Sequence, residues 1–202
     1  MRAFTAAAVQ ISPVPGPLSP EVVRKNLDKC IDYTRRCVDA SGAELVVLPE
    51  AATTGFTPDC SADDLWDLVS PIPGTVSEPV QAVARDLGIY LCFGTYERGP
   101  QRGVVYNTAV LVGPSGTVLG AYRKTHPFVT EHVRNGGWVT PGDTVHVVET
   151  SLGKVGMIVC FDGDYPELCR IQAVQGAEVI CRPAALQGRA GHAIPLESWS
   201  GV

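Results

Sequence analysis

Between Glu44 and Pro49 stand four apolar residues in a row, Leu45-Val46-Val47-Leu48, with no polar residue alternating among them. A strand of that composition has to be covered on both faces, because either face turned to water would expose aliphatic side chains. Such a strand demands layers on both sides of its sheet, and the preceding segment supplies one. Ser19-Pro20-Glu21 offers a helix cap, a proline at the first helical position and an acidic first turn. The pattern predicts a helix from 20 to about 40, ended by Gly42. Its apolar stripe, Val23, Leu27, Cys30, Ile31, Thr34 and Val38, recurs at spacings of three and four.

The same signals organise the rest of the chain. Residues 3–11 read as a strand, and a loop through Gly55 and Pro58 precedes helices over 62–69 and 76–87, the second ended by Gly88. A strand over 89–95 follows. Val104–Val112 and Thr117–Arg123 form a predicted hairpin around Gly113-Pro114-Ser115-Gly116. Residues 124–143 are loop-like, then come strands over 144–149 and 154–160, a helix over 166–175 and a strand over 178–182. This is a mixed α/β layout with helices covering a sheet. No repeat or linker divides it, so residues 1–202 are expected to form one domain.

Charge and cysteine usage narrow the partners. The 202 residues carry a formal net charge of −5, which leaves no basic footprint for nucleic acid or an anionic membrane surface and points to a small-molecule partner. Phe4 to Ile11 is short, is interrupted by Gln10 and runs into prolines, unlike a signal peptide, and no run is long enough to span a bilayer. The seven cysteines are odd in number and contain no Cys-x-x-Cys pair, a pattern expected of a reduced, cytoplasmic protein rather than a disulfide scaffold or a thiol redox protein. His126, His132, His146 and His192 make no metal-ligand spacing, so neither a metal nor another cofactor is expected.

Three polar residues stand where buried strands are predicted to end. Cys160 closes the run Val155-Gly156-Met157-Ile158-Val159 and precedes a sharp turn and helix start, where nearby helix-terminal N–H groups are expected to favour its thiolate. Glu50 follows Val-Val-Leu-Pro, and Lys124 follows Gly-Ala-Tyr-Arg. Strand ends on one sheet edge converge on a cleft. A thiol, a carboxylate and an ammonium there form a toolkit for acyl transfer. Glu50 serves as the base a protonated thiol needs, while Lys124 and the backbone N–H of Phe161 serve as donors to an oxyanion. Taken singly, Cys160 reads as a small buried hydrophobe, Glu50 as a solvated loop carboxylate and Lys124 as a surface lysine beside Arg123. Glu97 either lines the same cleft or makes a structural salt bridge. Phe56 and Tyr165 are pocket walls or core.

The triple becomes specific through its context. Leu48-Pro49-Glu50 with Gly55-Phe56, then Asn107-Thr-Ala-Val-Leu with Tyr122-Arg123-Lys124, then Cys160-Phe-Asp-Gly-Asp-Tyr-Pro-Glu167 resemble the three signature regions of the nitrilase, or carbon–nitrogen hydrolase, superfamily, in order over residues 3–185. Cys160-x-Asp162-Gly163-x-Tyr165-Pro166-Glu167 followed by Gly176-Ala177-Glu178 and Arg182 most resembles the aliphatic amidase and formamidase branch. The resemblance implies a nitrilase-like αββα sandwich with a mixed sheet. It also implies a triad of Glu50 as general base, Lys124 as stabilising cation and Cys160 as nucleophile. Glu131 matches a second glutamate that positions substrate and lysine, although it sits about one residue nearer Lys124 than the branch leads one to expect. Arg182 matches an arginine of the amidase branch and joins Phe56 and Tyr165 as a substrate-binding candidate. His126 and His132 have no counterpart in the family, which disfavours a thiol–histidine dyad.

The implied reaction cleaves a small linear amide to carboxylate and ammonia through a thioester. A nitrile or an N-carbamoyl amide is the alternative substrate, and a homo-oligomer is the implied assembly. Family members usually run to roughly 260 residues or more. This chain stops at Val202, and residues 186–202 lack the amphipathic helix expected there. A C-terminally truncated sandwich is therefore expected, and a catalytically inactive homologue acting as a binding or assembly subunit stays open.

Overall fold

Helix α1 (Pro20–Ser41) forms where cap and stripe predict it: Ser19 Oγ accepts from the Val22 N–H at 3.3 Å, and Gly42 closes the helix in the left-handed region at φ 64°. Such a cap contributes about 1 kcal/mol. The buried stripe includes a polar member, Asn26, whose side chain accepts from the Val14 N–H at 2.6 Å and donates to the Thr53 carbonyl at 3.1 Å. A helix packed on the sheet thereby also braces the loop that follows β2. The structure, a computed structural model, describes residues 2–56 and 60–186.

Strand β1 (Ala6–Ala8) pairs parallel with β2 (Leu45–Val47), which pairs parallel with β3 (Tyr90–Arg98). Strands β4 (Val105–Val112) and β5 (Val118–Arg123) extend that sheet antiparallel, as the hairpin pattern predicts. Two helices, α2 (Ala62–Leu68) and α3 (Ser77–Leu87), lie between β2 and β3 in sequence. A second sheet holds β6 (Val147–Thr150), β7 (Gly153–Met157) and β8 (Val179–Cys181), with β6 antiparallel and β8 parallel to β7. Helix α4 (Pro166–Val174) connects β7 to β8.

The continuous apolar run of β2 is explained by its two neighbours. Val46 and Leu48 pack with Leu91, Phe93 and Val110 beneath α1 and α3. Leu45 points the other way, with Cys92, Ala109 and Tyr122, against Val155, Met157 and Cys181 of the second sheet. Each such side chain withdrawn from water contributes about 1.5–3 kcal/mol. On the outer face of the second sheet Gln172 of α4 donates to the Met157 carbonyl at 3.0 Å. The layers run helix, sheet, sheet, helix, the mixed α/β sandwich expected.

Several boundaries differ from expectation. The strand expected over 154–160 stops at Met157, because Cys160 adopts a left-handed φ of 44° and residues 160–164 wind into a single 3-10 turn before α4. The first strand shrinks from 3–11 to three residues, and the strand expected from 144 begins at Val147. The expected loop over 124–143 contains a 3-10 turn, Val133–Asn135, and Val139 bridges to both Val105 and His132. Pro58 and all of the expected divergent tail except Leu186 lie outside the described residues. Among the described residues no helix is long and apolar enough to cross a membrane.

Candidate active site

Glu50 stands just past β2, where the chain still runs beside β3: Leu48 N–H donates to the Cys92 carbonyl at 2.8 Å and Ala52 N–H to the Gly94 carbonyl at 2.9 Å. The next residue, Ala51, has a left-handed φ of 48°. Only a glycine at 94 admits this approach, since a Cβ there would lie 2.5 Å from Glu50 Cα. Lys124 leaves the end of β5 with its N–H on the Asn107 carbonyl at 2.7 Å. Glu131 is held in the following loop by the Val139 N–H, which donates to its carbonyl at 2.7 Å.

Cys160 is fixed from three directions. Its N–H donates to the Pro183 carbonyl at 2.9 Å, and its carbonyl accepts from Arg182 Nε at 2.8 Å. Asp162 braces the turn from inside, accepting from the Val159 N–H at 2.9 Å, the His126 N–H at 3.0 Å and the Tyr122 hydroxyl at 2.9 Å. A left-handed non-glycine residue costs on the order of 1–3 kcal/mol, and these bonds hold it in place. Ala51 and Cys160 are the non-glycine residues of positive φ among the described residues, and both flank or form the site.

These elements bring four predicted residues together. Lys124 Nζ donates to Glu50 Oε1 at 2.9 Å and to Glu131 Oε1 at short range, and Glu131 also accepts from the Phe128 N–H at 2.8 Å. Lys124 and Glu131 are 0% exposed and Glu50 2%. Burial by itself would lower the Lys124 pKa, but the two carboxylates hold the ammonium above its ordinary value. Burial pushes the Glu131 carboxyl up, opposed by the Lys124 charge and the Phe128 N–H.

The Cys160 thiol is pushed up to about 12, first by burial and then by the neighbouring Glu50 carboxylate, with Lys124 pulling the other way. That direction runs against the expected thiolate. A single 3-10 turn separates Cys160 from the start of α4, and a carboxylate faces the sulfur. A protonated thiol beside a carboxylate can lose its proton as it attacks, which is what general-base chemistry requires.

A cavity of about 350 Å³ opens over the sulfur, walled by Phe56, Phe128, Phe161, Arg182 and Leu186. Of the substrate-binding candidates, Phe56 and Arg182 line it, while Tyr165 stands behind the wall, edge-on to Phe161 and stacked on His126 at 3.9 Å. Among the described residues no acceptor takes the Phe161 N–H. Glu97 makes the structural salt bridge, pairing with Arg123 at 2.6 Å. Three groups were given no role from the sequence, although Asn107 and Asp162 stand in its signature regions. Asn107 Nδ2 donates to Glu50 Oε1 at 2.8 Å and Glu131 Oε2 at 3.0 Å, the Ala185 N–H donates to Glu50 Oε2 at 2.9 Å, and Asp162 shapes the turn. The available signal for Asn107 was its place at the head of the second signature region, on a strand with few polar residues; the Ala185 N–H had none.

The family model described as carbon-nitrogen hydrolase matches residues 5–199. A protein of Pyrococcus abyssi named nitrilase is 36% identical over 173 residues, covering 84% of this chain and 63% of that protein. The omega-amidase of Xenopus tropicalis is 30% identical over 177 residues, covering 85% of this chain and 62% of the relative. The chain thus spans less than two thirds of the length of these relatives. The crystal structure of an amidase from Nesterenkonia sp. superposes with a TM-score of 0.71 at 27% identity, over 92% of this chain and 66% of that one. Among structures of variants of an amidase from Nesterenkonia sp. AN1, one holds butyramide and another shows the result of Michael addition of acrylamide at the active-site cysteine.

Proposed function

This chain belongs to the carbon–nitrogen hydrolase family, and we propose that it works as a cysteine-dependent amidohydrolase, cleaving a small linear amide to a carboxylate and ammonia. The observation that carries this reading is the buried Lys124 ammonium held between Glu50 and Glu131, with the Cys160 thiol against Glu50. Such a cluster is costly to bury and adds little to stability that packed apolar residues would not, so its use is chemical.

In the proposed cycle Glu50 takes the thiol proton as Cys160 Sγ bonds to the amide carbon. The carbonyl oxygen becomes an oxyanion, met by the third N–H of Lys124 and the Phe161 N–H. Glu50 returns the proton to the amide nitrogen, the C–N bond breaks and ammonia leaves a thioester. Water, deprotonated by Glu50, then releases the carboxylate and restores the thiol. Glu131 positions Lys124 throughout. The apolar walls Phe56, Phe128 and Phe161 favour an uncharged acyl group.

A second reading, nitrile hydrolysis, is favoured by the 36% identity to the Pyrococcus abyssi nitrilase. Ammonia release from butyramide, butyronitrile and an N-carbamoyl compound separates them. The expected result is turnover of the amide that is abolished in Cys160→Ala. Turnover of the nitrile alone, or an unchanged rate in that variant, overturns the proposal.

A further inference from the structure

Around Lys124 the charges do not balance. Glu50 and Glu131 bring two carboxylates to one ammonium, all of them buried, and Lys124 has already given two of its three N–H groups to them. Like charges so close ordinarily resolve by one carboxylate taking a proton. A protonated Glu50 is useless as a base.

Asn107, 0% exposed on β4, answers this without adding charge: its Nδ2 donates one N–H to Glu50 Oε1 at 2.8 Å and the other to Glu131 Oε2 at 3.0 Å. Ionised carboxylates only accept, so the amide can turn only its nitrogen toward them. Its Oδ1 meets no donor among the described residues. A buried carbonyl left so is costly, and the pair of donated bonds is what fixes this orientation. We infer that Asn107 is a positioning residue that keeps Glu50 and Glu131 ionised together around Lys124, so that Glu50 can accept the Cys160 proton. This inference rests on the proposed amidohydrolase reading. The other groups facing the two carboxylates are the Lys124 ammonium, the Cys160 thiol and the N–H groups of Ala185 and Phe128; Asp162 feels the same ammonium from the turn after β7.

The test is Asn107→Leu in the full chain, which has the same number of side-chain heavy atoms and the same branching but no donors, with Asn107→Ser, which keeps one donor, in reserve should the leucine variant not fold. The acidic limb of the kcat/KM profile against pH should move up by about one unit or more, a loss of roughly tenfold on the acid side that closes at alkaline pH. Infrared difference spectra should show a protonated carboxyl band near neutral pH that disappears when Glu50→Gln is added. A merely structural residue would lower the rate equally at every pH. That result, or the absence of the carboxyl band, overturns the inference. Should the unsubstituted chain turn over no amide, the functional reading fails by itself, and the infrared titration still decides the role of Asn107.

Discussion

At Cys160 the backbone and the side chain make opposite demands. The left-handed φ of 44° lifts the residue out of the strand line, while burial and the Glu50 carboxylate keep its sulfur protonated, with the thiol pushed from an ordinary 9.0 up to about 12. Since the folded value lies above the unfolded one, the protonated thiol's contribution to stability is whole below pH 9.0 and is lost as pH climbs toward about 12. Iodoacetamide labelling of Cys160, followed by peptide mass, should therefore be slow near neutral pH and rise far into the alkaline range. Glu50→Gln removes a charge that raises the thiol and should move the labelling midpoint down, even as it removes the proposed base. A midpoint that stays or rises in that variant contradicts the electrostatics drawn here.

Among the elements, β3 shows how a strand can place a carboxylate it does not carry. Gly94 lets the chain after β2 pass so close that an added Cβ would lie 2.5 Å from Glu50 Cα and 2.8 Å from the Pro49 carbonyl oxygen, both backbone atoms that cannot swing aside. Gly94→Ala should cost about 1–3 kcal/mol through overpacking. It should also lower kcat on the order of 100-fold by displacing Glu50 about 1 Å. Gly42→Ala is the contrast. Its Cβ meets nothing within 4 Å and only the φ of 64° is strained, so about 1 kcal/mol of stability is lost with kcat unchanged. Denaturant midpoints and kcat on both variants check this, and a Gly94→Ala variant with undiminished kcat rejects it.

For the molecule as a whole, the ion cluster joins the end of β2, the end of β5 and the loop carrying Glu131. Lys124 makes that junction tolerable. Lys124→Met should destabilise the protein by about 3–5 kcal/mol near neutral pH, because two buried carboxylates lose their counter-charge. Burial already holds Glu131 above its ordinary 4.5, and without Lys124 its folded value rises further. A folded value above the unfolded one means the deficit is small below pH 4.5 and grows as pH rises through the folded value. Urea unfolding across that range should show the gap to the unsubstituted protein widening with pH; a deficit of constant size would reject the account.

The helix cap at Ser19, the stripe of α1, the apolar run of β2 and the hairpin turn at residues 113–116 are properties of adjacent residues, and they were legible before any folding. So was the order Glu50, Lys124, Cys160 at strand ends, since strand ends follow from the same local patterns. What no local pattern carries is which of Leu45 and Val46 faces α1 and which faces the second sheet, because that depends on the pleat meeting two different layers. The same holds for Asn107. Its role comes from two carboxylates 57 and 24 residues away along the chain. The protonation of Cys160 followed neither from its motif nor from its turn. Partial burial and the charge of Glu50, just past β2, push the thiol up, and both exist only once the sheets have packed.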